Sequence, residues 1–302
     1  MTALLKTARD AFHKALILGE TLVFSDFNKY HLSKIASNAD TGQKLSVVVS
    51  NLLAQKIADN VDLQIVFRKK KQGQTLGNEF EQYCTEFINL TFCQFPHLRP
   101  GNWIVEKISS RSDSILGNYE QYQHLTELGK LADKHAELRS FLGQGYTVSP
   151  DIIIARLPES DETINQSQQI VDAFVSQKTM IRKSNHLNPE APTPLLHASI
   201  SCKFTMRSDR AQNTRTEALN LIRSRKGRTP HIISVTAEPM PSRIASLALG
   251  TGDLDCVYHF ALYELQETLE ELQKEDALEL LNMMIVGKRL KDISDLPLDL
   301  AI

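Results

Sequence analysis

Apolar residues in the first stretch of the chain fall three and four positions apart. Leu4, Leu5, Ala8, Phe12, Ala15 and Leu16 line one face over residues 3–18, and Gly19 ends the helix they predict. Residues 44–58 repeat that period. A polar, basic loop follows at about 68–75. Then GNEFEQYCTEFINLTF (77–92) sets Phe80, Cys84, Phe87 and Ile88 on one helical face. Residues 118–142 read as a long helix stopped by Gly143 and Gly145. The period then changes. Residues 148–155 (VSPDIIIA) read as a strand with Asp151 near its start, and residues 195–204 as a second buried strand. Between them, residues 157–194 are polar, contain prolines and show no period, so an irregular excursion is expected. Residues 209–225 predict a helix with Ser208 as N-cap, stopped at Gly227. A third strand over 231–237, a short helix over 241–249, a further strand at 257–260 and a helical region over 261–286 complete the pattern. Strands alternating with helices predict an α/β sheet covered by helices. No internal repeat and no linker stands out.

Composition narrows the class. Of 302 residues, 42% are hydrophobic and 23% charged, as in ordinary globular proteins, with ample chain for a buried core. The four cysteines lack C-x-x-C spacing, and the nine histidines form no metal-binding pattern, so both read as structural or surface residues. No signal peptide and no apolar stretch of 18 residues is found, which points to a soluble cytoplasmic protein with reduced thiols.

Charge changes the picture more. The formal net charge is −2, yet residues 203–228 carry eight basic side chains and two acidic ones. A second basic patch is Arg68-Lys69-Lys70-Lys71. The compensating acids gather near the C-terminus, from Glu264 to Glu279.

The strand over 195–204 closes on Lys203, and the strand over 148–155 opens near Asp151. If these strands are neighbours, a carboxylate and an ammonium meet at one sheet edge, where each is costly to desolvate unless paired or bound to a metal. On the helix that follows, Arg210, Asn213 and Glu217 share a face, while Ala211, Ala218, Leu219 and Ile222 occupy another that can pack on the sheet. Glu217 can then point toward Lys203 and Asp151. Two carboxylates and a lysine, without histidine, suit a hard cation such as Mg²⁺ rather than zinc. A structural ion-pair network accounts for the same residues. Arg207, Asp209 and Arg210 have the chemistry to read G·C pairs, since Arg can bind guanine bidentately and Asp can accept from cytosine. A solvated helix start, with Asp209 favouring the helix dipole, is the simpler account of that spacing.

Longer stretches add a resemblance. TLGNEFE (75–81), SPDIII (149–154), LLHASISCKFTMRSDRAQNTRTEALNLIRSRKGR (195–228), HIISVTAEPMPSRIASLALGTG (231–252), DCVYHFALYELQ (255–266) and GKRLKDISDLPLDLA (287–301) resemble the NgoMIV group of CCGG-reading PD-(D/E)XK type II restriction endonucleases. The resemblance covers most of the chain from about residue 74. It implies one restriction-endonuclease domain over 1–302, a central mixed β-sheet flanked by helices, with an N-terminal helical region at about 1–67. The usual motif has an acid two residues before the lysine, where this chain has Ser201. In this group the acid comes from the following helix, and Glu217 matches it. The resemblance therefore makes Asp151 and Glu217 ligands of Mg²⁺ and Lys203 the catalytic lysine. Ser201 supports the site, and Glu81 matches an additional acidic residue. Glu79, two positions away, points to nearly the opposite side of the helix.

The resemblance further assigns Arg207, Asp209 and Arg210 to the inner CCGG, and Gln74 and Arg243 to the outer base pair. Together they imply the double-stranded palindrome GCCGGC, cut after the first G to leave 5′ CCGG overhangs, by a homotetramer built as a dimer of dimers. The lysines before Gln74 are placed to meet phosphate or to form a basic loop. Two other readings stand beside this one. The first is a repair or structure-specific nuclease of the same fold, and the second a non-catalytic DNA-binding module. Retention of Asp151, Lys203 and Glu217 together disfavours the module, because a scaffold needs none of them.

Overall fold

The computed structural model describes residues 2–108, 116–134, 150–206, 208–250 and 252–302. Its helices are α1 (Leu4–Leu18), α2 (Lys44–Asn60), α3 (Gly73–Thr91), α4 (Gln123–Lys134), α5 (Asp161–Ile164), α6 (Ser208–Ser224), α7 (Pro241–Ala248), α8 (Leu262–Glu271), α9 (Glu275–Val286) and α10 (Leu296–Asp299). Its strands are β1 (Phe24–Asp26), β2 (Lys34–Ala36), β3 (Trp103–Lys107), β4 (Ile152–Arg156), β5 (Leu195–Lys203), β6 (His231–Thr236), β7 (Cys256–His259) and β8 (Leu290–Asp292). Six strands form one sheet in the order β3-β4-β5-β6-β7-β8. β3 and β4 are antiparallel, whereas β6–β7 and β7–β8 are parallel. This is the mixed, helix-flanked α/β sheet that the resemblance implies.

The chain forms two compact units. The first comprises Met1–Gln94, Ile200–Arg215 and Ile232–Ile302; the second comprises Phe95–Ser199 and Thr216–His231. β5 and α6 each run through both.

In the first unit the core is aromatic. Phe12 of α1 meets Phe80 and Phe87 of α3 at ring-centroid distances of 6.2 and 5.8 Å. Phe80 also packs against Phe204 and Phe260, at 5.6 and 6.4 Å, so α3 is fastened to the residues that follow β5 and β7. β1 and β2 make a small antiparallel hairpin. Tyr30 and His31 turn it in the left-handed region, with φ of 59° and 60°. Phe24 of β1 bonds through its backbone to Val66 and Arg68, which anchors the start of the basic stretch. A buried charge cluster ties α1 to the C-terminal elements. The Arg9 guanidinium donates to both oxygens of Glu264, at 2.8 and 2.5 Å, and to both oxygens of Asp292, at 2.9 Å each. Burial pushes the Glu264 carboxyl up, but the Arg9 bonds outweigh it and hold the group down at about 2.

In the second unit Ile152, Ile153, Ile154 and Ala155 of β4 are fully buried. Gln121 caps the start of β5, its amide donating to the Leu196 carbonyl and its oxygen accepting the Leu196 N–H. The expected excursion over 157–194 is largely irregular and still built. Arg182, nearly fully buried, grips Asp161 bidentately and donates to the Val175 and Asp172 carbonyls.

Several expectations need correction. The helix expected over 118–142 opens as two 3₁₀ turns and is α-helical over Gln123–Lys134, and residues 135–142 lie outside the described residues. The strand expected over 148–155 spans Ile152–Arg156. The region over 261–286 is two helices, with Gln273 in the left-handed region at φ 52° between them. Among the described side chains of α6 the buried ones are Thr214, Ala218 and Leu221, while Leu219 and Ile222 are half-buried. That stripe is an i, i+4, i+7 set that keeps Ala218 from the expected face and takes Thr214 and Leu221 where Leu219 and Ile222 were expected.

Candidate active site

Lys203 is the last residue of β5 and is half-buried. Alternation along β5 puts His197, Ser199, Ser201 and Lys203 on one face, with Leu196, Ala198, Ile200 and Cys202 on the other. The Lys203 carbonyl accepts from Thr236 Oγ1 at 2.9 Å and from the Ala237 N–H at 3.1 Å. The Ser201 carbonyl accepts from Ser234 Oγ at 3.2 Å, and its own Oγ lies 3.4 Å from Thr214 Oγ1 on α6. The strand end that carries Lys203 is thus fixed through its backbone. Next to it, Phe204 packs on Phe80, the neighbour of Glu81 on α3. Glu81 is half-buried. Glu79 faces elsewhere, accepting from Thr21 Oγ1 at 2.6 Å and from Lys71 Nζ at 2.7 Å, as its offset from Glu81 predicts. These residues all belong to the first unit.

The second unit carries Asp151 and Glu217. Asp151 stands one residue ahead of β4 and is half-buried; its carbonyl accepts the Ile108 N–H at 2.9 Å. Glu217 is half-buried on α6, between Thr214 and the buried pair Ala218 and Leu221. That turn of the helix is held by Tyr122, whose hydroxyl donates to the Leu221 carbonyl at 3.0 Å.

The candidate DNA readers are distributed as follows. Arg207 lies outside the described residues. Asp209 and Arg210 fall in the first turn of α6, and their side chains are likewise outside what is described. Gln74 is the second residue of α3 and is exposed. Arg243, in the first turn of α7, is held by protein groups. It pairs with Asp40, donates to the Met206 carbonyl at 3.1 Å, and stands 3.7 Å from Glu238. Not every cation of the basic block is placed for DNA. Arg215 pairs with Asp253 at 3.1 Å, and Arg225 donates to the Ile222 carbonyl. In the patch 68–71, Arg68 pairs with Glu20, and Lys71 bonds to Glu79 and the Gly19 carbonyl.

The buried His259 joins the ends of β6 and β7. His259 Nδ1 accepts the Ala261 N–H, so Nε2 carries the proton and donates to the Glu238 carbonyl at 3.1 Å. Burial lowers this group to about 4. Asp40 and Glu238 were not singled out in the sequence. A lone acid in the apolar run Val235-Thr236-Ala237-Glu238-Pro239-Met240 is the signal that marks Glu238, since a buried carboxylate requires partners.

The six-stranded mixed sheet, flanked by helices, places the protein among the restriction-endonuclease-like α/β proteins. A family model described as NgoMIV restriction enzyme matches residues 12–302. The type II restriction enzyme NgoMIV of Neisseria gonorrhoeae is 48% identical over 302 residues, covering 100% of both chains. The chain belongs to the NgoMIV restriction enzyme family. It is a type II restriction endonuclease, a site-specific deoxyribonuclease whose substrate is double-stranded DNA, and enzymes of this class use a divalent metal ion. Among the described residues no helix is long and apolar enough to cross a membrane.

Proposed function

We propose that this enzyme cuts GCCGGC after the first G, leaving 5′ CCGG overhangs. It acts as a cytoplasmic homotetramer, a single restriction-endonuclease domain per chain, with Mg²⁺ as its metal. The observation that carries the reading is the combination on β5 and α6. A lysine ends a backbone-pinned strand, a serine stands where an acid is usual, and Glu217 follows on the next helix. Asp151 and Glu217 offer carboxylate oxygens only, the donor type that suits a hard cation. Bound there, Mg²⁺ would supply Lewis-acid stabilisation of the scissile phosphate and a more acidic water.

The protein's own groups have separate roles in this scheme. Asp151 and Glu217 hold the cation. The Lys203 ammonium donates to a phosphate oxygen and stabilises charge as it develops. Glu81 adds negative charge beside the site, and Ser201 supports the strand that presents Lys203. Water attacks phosphorus in line, a new P–O bond forms, and the bond to the 3′ oxygen breaks. The products are a 5′ phosphate and a 3′ hydroxyl. Arg207, Asp209 and Arg210 read the inner CCGG, and Gln74 and Arg243 contact the outer pair.

Digestion of a sequenced plasmid with Mg²⁺, followed by end mapping, tests this. Every GCCGGC is expected to yield ends one base inside the site. A smear, or discrete cuts at another sequence, sinks the assignment; a smear is the result expected of a repair nuclease.

A further inference from the structure

Glu238 follows β6 at the turn leading into α7 and is 1% exposed. Its Oε2 accepts the Met206 N–H at 2.8 Å, and its Oε1 accepts the Met240 N–H at 3.2 Å. Arg243 Nη1 stands 3.7 Å from the same Oε2 and donates to the Met206 carbonyl at 3.1 Å. The N–H and C=O of Met206 are therefore both held by one pair, Glu238 and Arg243. Glu238 is itself fixed at both ends of its backbone. Its N–H donates to Thr236 Oγ1 at 3.1 Å, and its carbonyl accepts from His259 Nε2. Thr236 Oγ1 in turn donates to the Lys203 carbonyl, as does the Ala237 N–H, so the chain just before Glu238 is tied to the end of β5.

Met206 immediately precedes the segment assigned to the inner CCGG, and Arg243 is assigned to the outer pair. We propose that Glu238 is a positioning residue for base reading: it locks Met206, the residue ahead of segment 207–210, and the guanidinium of Arg243 into one piece, so that inner and outer pairs are not read independently. This inference rests on the DNA-reading roles proposed above. Burial pushes the Glu238 carboxyl up to about 7 while the Met206 N–H, Arg243 and the Met240 N–H pull it down. A group that costs this much to bury is a poor choice for packing alone. A glutamine in its place has one oxygen for two N–H donors and turns an amide toward one of them or toward Arg243.

The test uses the full-length enzyme and three duplexes, bound without divalent cation: GCCGGC, the outer-pair variant ACCGGT and the inner-pair variant GCTAGC. Glu238→Gln is expected to narrow both the GCCGGC/ACCGGT and the GCCGGC/GCTAGC affinity ratios by about tenfold. Glu238→Asp keeps the carboxyl group and shortens the reach by one methylene, so its ratios should fall between those of the wild type and Glu238→Gln. In an Arg243→Ala background, Glu238→Gln should add nothing to the outer-pair loss but still narrow the inner-pair ratio. The proposal is overturned if a folded Glu238 variant keeps both wild-type ratios. It is equally overturned if affinity for all three duplexes falls by one common factor alongside the melting temperature, the mark of a purely structural role. Should Glu238→Gln fail to fold, Glu238→Asp decides by the same ratios. If Arg243→Ala leaves the wild-type outer-pair ratio intact, Arg243 is no reader; that result removes the underlying assignment and the coupling with it.

Discussion

Lys203 is aimed by its backbone. Two hydrogen bonds from β6 and the residue after it fix the peptide, and alternation along β5 then decides which way the side chain leaves. Lys203→Ala is accordingly expected to lower single-turnover cleavage by about 10²–10³-fold, the loss typical of one preorganised electrostatic donor. Gel-shift affinity for GCCGGC should be retained; cleavage at the normal rate would remove Lys203 from the mechanism. Arg210→Ala should instead lose about 1–3 kcal/mol of discrimination for CCGG. An equal loss on random DNA would make Arg210 a phosphate contact. Lys203 was legible in the sequence because a charge closing an apolar run is costly and calls for a reason. Ser201 was legible only by resemblance, since a serine in a strand has no distinctive chemistry. The pairings of Glu238 with Met206 and of Arg215 with Asp253 were not legible, because their partners lie 32 and 38 residues away.

At the level of elements, Phe80 joins α1, α3 and the residues that follow β5 and β7. Phe80→Ala should destabilise the first unit by about 3–5 kcal/mol, read as a lower urea midpoint. A loss below 1 kcal/mol would show that the aromatic cluster does not anchor α3. The long helices were readable because a 3.6-residue period repeats several times within each. β1, β2 and β8 have three residues apiece, too few for alternation to show. The break between α8 and α9 was also hidden. A glycine after a helix announces its end, but here Gln273 takes the left-handed conformation without that signal. The part of the inward face of α6 that the pattern missed has a similar cause. Thr214 is polar by type, yet it is buried beside Ser201, and only the fold reveals it as part of the inward stripe.

Across the whole molecule, the acids near the C-terminus do more than balance the basic block. Glu264 is spent on Arg9, and Lys56 pairs with Glu271 at 2.7 Å. Removing Arg9 leaves Glu264 and Asp292 buried without their cation, so Arg9→Ala should cost about 3–5 kcal/mol. The acid response follows from the same groups. Glu264 is depressed from 4.5 to about 2, so its contribution is present above 4.5 and lost as pH falls from there toward 2. His259 is depressed from 6.5 to about 4, and its contribution is lost as pH falls through that higher window. In that higher window the Glu238 carboxyl, raised from 4.5 to about 7, acts in the opposite sense, so the loss in urea denaturation should be clearest below pH 4.5, and Arg9→Ala should abolish it. An unchanged profile in that variant would mean that Arg9 does not set the Glu264 carboxyl.

The partners of Arg9 lie 255 and 283 residues further along the chain. During synthesis α1 leaves the ribosome long before either carboxylate has been made. At about 5–20 residues per second, its guanidinium waits tens of seconds for a socket that α8 and β8 complete. A ribosome stalled before residue 292 therefore holds a nascent nuclease whose first helix can already pack on α3 through Phe12, while Arg9 still lacks the carboxylate of Asp292.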